Sequence, residues 1–368
     1  MSKLEKALET LGESLELRNT ILEMLAEAEK GVTNQAKFRY EVRWPIIEAL
    51  IGNKSHHVIL KNGLQFEVCL QSRIEKSLLL TLDAPPDHIW EPQTTRLACV
   101  LARDCANVIV GGAYIGDQAL PVAQVLQTNG RNGFVFTFEP NPNVFKQLVR
   151  HIEINDLKNV RADQRVLWNH SGINLELQGG PALTSAFPDV TQQANEEVFT
   201  VATVTIDEYM QEHRITEVGL IMLDTEGAEE TVLAGAQKLL GRQYPSAPHI
   251  IFEVYNQDWS EGLANVPLVK WLRSFDYEIF AIRDFQGNLS MADRPLEIIP
   301  LKDVYIANVP HGFNVLATKD KGVVEKYGLT LVRNLSPKLL SQKDTTLPYP
   351  PKDPAMHLPS DGLGLELF

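Results

Sequence analysis

The 368-residue chain has only three cysteines, Cys69, Cys99 and Cys105, and none of them stands in a Cys-x-x-Cys pair. So few thiols cannot make a disulfide framework, and they read as reduced side chains, buried or partly buried. Long apolar runs are also missing: none approaches the roughly 20 residues that span a bilayer. The opening stretch carries acids within its first ten residues and no apolar segment before a small-residue cleavage site, so no secretory signal is expected and the protein reads as cytoplasmic. Positive charge is in short supply, with 34 lysines and arginines against 47 acids and a formal net charge of -13. A nucleic-acid binder would need a basic face, and so would a protein held on anionic membrane, so neither partner is expected. Histidines form only one close pair, His56-His57, and neighbours on a strand point to opposite faces, so no metal site is expected.

What the chain does have changes in character along its length. Residues 3–29 place Leu4, Leu8, Leu11, Leu15, Ile21, Leu22 and Leu25 at helical spacing among acids and lysines, which predicts one or two amphipathic helices. Three apolar runs follow, from His57, Leu64 and Ser77, and the Lys61-Asn62-Gly63 break between the first two predicts a hairpin. Residues 1–90 therefore read as an added N-terminal helical and hairpin extension. From about residue 107, near-continuous apolar runs alternate with helical segments such as Asn143–Asn155 and Ala228–Leu240. The runs begin at Val108, Gly133, Leu220 and His249, and β-branched residues 200–206 add a further strand. This alternation predicts an α/β fold with a doubly wound, mostly parallel sheet, completed at an antiparallel edge by Tyr277–Ile282 and Val304–Ala307. The domain is expected over residues 91–310, with a C-terminal extension over 311–368. Five prolines between Pro348 and Pro359 make the end of that extension unfit for helix or central strand.

Three strand ends are candidates for chemistry, because doubly wound sheets bind ligands at the carboxyl ends of their strands. The first is the small-residue turn Gly111-Gly112-Ala113-Tyr114-Ile115-Gly116-Asp117. Such a turn brings backbone close to a ligand and opens a helix whose first amides are free donors, although a tight turn alone also calls for glycine. The second is Phe138-Glu139-Pro140-Asn141-Pro142, where a carboxylate closes the next strand at the place from which a ribose diol is held. Capping of the following helix is the plainer role for Glu139, but its position relative to the glycine turn favours ribose binding. The third is Leu223-Asp224-Thr225-Glu226-Gly227-Ala228-Glu229, in which Glu229 is explained by the helix dipole and solvent. Asp224 and Glu226 are able to face a cation or take a proton. Glu253 and His249 are further candidate bases. Asp207 joins these acids as a conceivable magnesium ligand, with solvated carboxylates the plainer reading, and His151 reads as a surface residue.

In this order the three motifs resemble those of the FkbM-type methyltransferases, enzymes that use S-adenosylmethionine and mostly methylate hydroxyl groups of sugars and other natural products. The likeness continues through Glu230-Thr-Val-Leu-Ala-Gly-Ala236 and Pro248-His-Ile-Ile-Phe-Glu253 and spans about residues 95–290. It implies a Rossmann-like class I sheet of seven strands. It also implies that Gly112, Ala113 and Gly116 face the methionine part of the cofactor, that Glu139 holds the ribose, and that Asn141 lies near the adenosine. Asp224 and Glu226 would line the cavity beside the transferred methyl group, with Ser185 in a loop near cofactor and acceptor. Val110, Tyr114 and Met222 stand where the family usually has an acid, an asparagine and a lysine, and Asp117 would supply the charge that Val110 does not. The expected acceptor is a small molecule or sugar, and a homo-oligomer is compatible with the family. Two other readings stay open at this point. One is a methyltransferase-like binding or scaffold protein without activity, in line with those three positions. The other is an NAD(P)-dependent oxidoreductase, since Gly111-x-Ala113-x-x-Gly116 loosely fits a dinucleotide fingerprint.

Overall fold

The computed structural model describes residues 2–339 apart from 53, 70–71, 80–86, 180–183, 186–196, 255–261, 286–290, 292 and 306–311. The Pro-rich tail lies outside the described residues. The chain divides into two compact units, residues 1–87 and a larger one from His88 onward.

In the first unit, α1 (Lys3–Gly12), α2 (Leu15–Lys30), α3 (Gln35–Phe38) and α4 (Trp44–Ile51) precede the hairpin of β1 (His56–Ile59) and β2 (Gln65–Val68). Ser2 starts α1 with a reciprocal capping box to Glu5, which satisfies amides at the helix end. The predicted hairpin forms with His56 opposite Val68 and turns through Gly63 at φ 86°. The run after it is not a strand. Arg73–Leu79 is helix α5, because Ser72 and Glu75 cap its start by exchanging side-chain and backbone bonds.

The second unit is built on a nine-stranded mixed sheet. Its strands are β3 (Val108–Gly111), β4 (Val135–Phe138), β5 (Val160–Asp163), β10 (Leu220–Leu223), β11 (His249–Val254), β12 (Glu278–Ile282), β13 (Glu297–Pro300), β14 (Phe313–Thr318) and β15 (Thr330–Leu331). They lie in the order β15-β13-β12-β14-β11-β10-β3-β4-β5. The run β5-β4-β3-β10-β11 is parallel and has the 3-2-1-4-5 order of a doubly wound sheet, so its strand order reverses between β3 and β10. The antiparallel member between β11 and β12 is β14, not the expected Val304–Ala307; Val304 makes only an isolated bridge with Leu335. The seven expected strands thus become nine, and β14 and β15 lie past residue 310, inside what was expected to be the C-terminal extension.

Both faces of the sheet are covered, which is why its strands read as continuous apolar runs. Ile109, Phe136, Phe138, Ile221, Leu223, Ile250 and Phe252 pack with α9 (Ile206–Glu212), α10 (Glu229–Ala234), α11 (Gln237–Leu240) and α12 (Pro267–Ser274). Helix α6 (Pro92–Ala102) packs on β10, β11 and α7 (Ala119–Thr128), and α8 (Pro142–Ile154) on β5. The single helix expected over Ala228–Leu240 is broken at Gly235, where a side chain would meet the Trp168 carbonyl at 2.2 Å. The β-branched run forms β9 (Glu197–Val204) but belongs to a separate four-stranded sheet, with β6 (Val166–Leu167), β7 (Asn174–Gly179) and β8 (Thr184–Ser185).

Candidate active site

The glycine turn leaves β3 at its carboxyl end, beside the ends of β4 and β10. Gly112 and Gly116 have φ of 72° and 92°, a region that side chains disfavour. Packing alone explains both glycines: a Cβ on Gly112 would lie 1.7 Å from the Asp224 carbonyl, and one on Gly116 would strike Leu120. The turn is pinned to its neighbours, since Gly112 and Ala113 amides donate to the Phe138 carbonyl and the Asp224 amide donates to that of Gly111. First and third motifs are therefore joined by backbone hydrogen bonds. His151 is not a surface residue. It is fully buried in α8, and its Nδ1 bonds the Ile115 carbonyl at 2.8 Å, bracing the turn from behind.

Glu139 follows β4 and is buried. Its Oε2 accepts the Tyr114 amide at 2.9 Å and its Oε1 the Asn141 amide at 2.9 Å, so it bridges the first and second motifs. It does not cap α8. That task falls to Asn141, whose Oδ1 accepts the amides of Asn143 and Val144. Asn141 is thereby committed to the helix start, and Glu139 retains lone pairs for a ligand.

Beyond β10, Asp224 is open to solvent, although burial of its surroundings raises its carboxyl above the ordinary range. Glu226 has φ 52° and Gly227 φ 95°, and the loop that bends this way is held by Glu229. Glu229 is buried rather than solvated: its Oε1 accepts the Thr225 amide and hydroxyl at 2.8 and 2.9 Å and the Gly227 amide at 3.4 Å. Glu253, near the end of β11, is pushed well above its ordinary value by burial first and then by the charges of Asp224, Glu91, Glu226 and Glu229.

The same edge holds Asp117, buried and pushed up to about 7 by burial and Asp224, and Glu139, pushed up to about 7 mainly by burial. Sequence reasoning passed over Glu91, just before α6. Burial, then Asp284 and Asp224, push it up to about 8. Its only sequence signal is the Glu-Pro step that opens a helix. These acids lie on one sheet edge in surroundings that disfavour their charge, so the site is disposed to accept cationic groups.

Other expectations fall elsewhere. His249 begins β11 and so lies at the opposite, amino edge of the sheet, away from Asp224. There it lines a cavity of about 430 Å³ with Asp104, Cys105, Tyr244 and Tyr327. Asp207 accepts the Lys238 and Leu239 amides and is committed to the start of α11. Ser185 lies in β8 opposite Gln178, and its side chain is outside the described residues. Among the described residues no cluster of three ligating side chains could hold a metal ion, and no helix is long and apolar enough to cross a membrane.

The sequence profile described as the methyltransferase FkbM domain matches residues 111–279. No curated protein matches the chain. Among solved structures it is similar to TYW2 of P. horikoshii in complex with MeSAdo, at 14% identity over 73% of each chain with a TM-score of 0.36. An O-methyltransferase from Bacillus cereus in complex with SAH matches at 15% identity over 61% of this chain and 79% of its own, TM-score 0.33. Precorrin-6y C5,15-methyltransferase from Geobacter metallireducens GS-15 matches at 11% over 61% and 87%, TM-score 0.34. Overlaps this loose carry no weight here. The profile match is another matter, since it begins at the glycine turn and contains all three motifs that meet at the sheet edge. By that match residues 111–279 of this chain are a methyltransferase FkbM domain, with S-adenosylmethionine as its cofactor.

Proposed function

We propose that the protein moves the methyl group of S-adenosylmethionine to a hydroxyl of a small acceptor, a sugar or another natural product. The carrying observation is the convergence of the three motifs at the carboxyl edge where strand order reverses, with Asp224 exposed beside the glycine turn. The residues fit the cofactor's chemistry: it brings two positive charges, and this edge is lined by carboxyls whose burial leaves them in want of a cation. When bound, the cofactor supplies an electrophilic methyl on a sulfonium.

The chain's own residues then have distinct parts. The amides and small side chains of Gly112, Ala113 and Gly116, with Asp117 beside them, border the methionine end. Glu139 takes the ribose hydroxyls on its remaining lone pairs, and Asn141 fixes the loop that carries it. Asp224 and Glu226 face the acceptor, and a raised carboxyl there is suited to taking the hydroxyl proton as the oxygen attacks, an effect worth roughly 10²–10⁴-fold. Ser185, in β8, is a further cofactor contact. The methyltransferase domain is taken as residues 91–310 with the later strands added to its sheet, and no metal is assigned a part.

The test is calorimetric titration of the full chain with S-adenosylmethionine, followed by transfer of labelled methyl to a panel of sugars and polyols. Binding with transfer to oxygen supports the reading. Binding with no transfer to any hydroxyl, or transfer to nitrogen only, removes the acceptor assignment.

A further inference from the structure

Glu91 is a costly residue with no evident structural return. Its backbone adopts φ 46° and ψ 71°, a left-handed conformation that is strained for a non-glycine residue. Its side chain is buried, 6% exposed, and feels the negative charges of Asp284 and Asp224 more strongly than the positive charge of Lys338. A residue before a helix is ordinarily placed to cap it, yet Glu91 makes no capping bond to α6. Asp284 does that work from nearly two hundred residues away, accepting the Gln93 amide at 3.0 Å and the Thr94 amide at 2.7 Å. Strain, burial and like charge are all carried at one position while another residue performs the local task. Such concentrations of cost are found where a side chain must reach a ligand.

The carboxylate is also aimed. Asn314 in β14 donates to its Oε2 at 2.6 Å, and Gln118, the residue after the glycine turn, donates to the same oxygen at 3.4 Å. Two amides from separate elements thus fix one oxygen. Among the described residues Oε1 has no hydrogen-bond partner, and it is not one of the sealed, unsatisfied atoms of the interior. It therefore keeps some contact with solvent. Three other acids of this edge already accept amide hydrogen bonds: Asp117 from its own amide and that of Gln118, Glu139 from Tyr114 and Asn141, and Glu229 from Thr225 and Gly227.

An oriented, unpartnered carboxylate oxygen among like charges calls for a ligand that is cationic and donates hydrogen bonds. Of the cofactor's two cations the sulfonium has no proton to give, whereas the ammonium has three. We propose that Glu91 receives the ammonium group at the methionine end of the cofactor, with Asn314 and Gln118 holding its carboxylate in place. This rests on the methyltransferase reading above.

Three adenosine ligands separate the possibilities by calorimetry on the full chain: S-adenosylmethionine, S-adenosylhomocysteine, and methylthioadenosine, which lacks the amino-acid end. Glu91→Gln keeps size and removes charge. It should weaken the first two by about 10-fold or more, the effect of losing a charge-assisted bond, and leave methylthioadenosine unchanged. Asn314→Ala, which frees the carboxylate without removing it, should weaken the same two by less and again spare methylthioadenosine. Equal loss for all three ligands, or none for any, overturns the assignment while the methyltransferase reading survives. Loss confined to S-adenosylmethionine moves Glu91 to the sulfonium and also overturns it. If the unaltered chain binds none of the three, the methyltransferase reading itself falls.

Discussion

The two edges of the central sheet are lined by titratable groups to opposite effect. At the carboxyl edge, burial and mutual repulsion push a row of acids upward, Glu91 to about 8 and Asp117 and Glu139 to about 7. At the amino edge burial presses a base downward, His249 to about 4, and the charges are paired within the protein. There Lys326 lies 2.8 Å from Asp104 and donates to the Tyr327 hydroxyl at 2.9 Å, while His249 Nδ1 bonds the Thr318 hydroxyl at 2.8 Å. One edge holds a surplus of a single sign and the other has settled its charges. A surplus that the fold does not neutralise is a disposition toward a ligand, whereas a perturbed group with local partners is explained by structure alone.

Replacing a residue from each edge tests that contrast. Asp224→Asn should have the largest effect, lowering methyl transfer by roughly 10²-fold or more while stability changes by less than about 1 kcal/mol. Normal transfer in the variant, or failure to fold, would make Asp224 structural and erase the distinction. Glu139→Ala should weaken S-adenosylmethionine by about 1–3 kcal/mol in calorimetry, since charge-assisted bonds to the ribose are lost. Unchanged affinity in the folded variant would return Glu139 to holding the loop only.

The acids also predict how stability follows pH. Each is raised in the folded chain above its unfolded value, so the folded state keeps protons that the unfolded state has released. Their favourable contribution is fullest in acid and is lost as pH climbs from the ordinary carboxylate range through about 8. His249 runs the other way, contributing only as pH rises from about 4 to its ordinary 6.5. From pH 6.5 to about 8.5 the acids act alone, and the ligand-free thermal midpoint should fall. Saturating S-adenosylmethionine, bringing cations among them, should flatten that decline. A midpoint that rises over this window would mean that the acids are compensated within the protein.

The smallest effect is expected at the amino edge. His249→Ala should cost stability about 1 kcal/mol or somewhat more through loss of the Thr318 bond and leave methyl transfer per folded molecule unchanged. A specific loss of transfer would bring that edge into the reaction and dissolve the comparison.

Much of the candidate site was legible because its residues sit at strand ends, and strand ends show in sequence where apolar runs stop. Glu139 and Asp224 stand just past the ends of β4 and β10, where the apolar runs place them. His151 was misjudged because an otherwise polar stretch gives no sign that a helix face will lie under the Ile115 carbonyl. Glu229 was misjudged because a loop that folds back on a following carboxylate looks, in sequence, like any acidic helix start. Glu91 went unnoticed since its partners Asn314 and Asp284 lie some two hundred residues away.

Period and composition alone determined that this chain alternates strand and helix, buries its parallel strands on both faces, and ends three of them in glycine or acid. Those are local properties, set by which side chains follow one another. Only the tertiary structure decided that β14 enters beside β11, that β9 joins a second sheet, and which acids share an edge. Strand order is chosen by packing and hydrogen bonding between segments far apart in the chain. A carboxyl's charge depends on what the fold sets around it, a fact that no stretch of sequence contains.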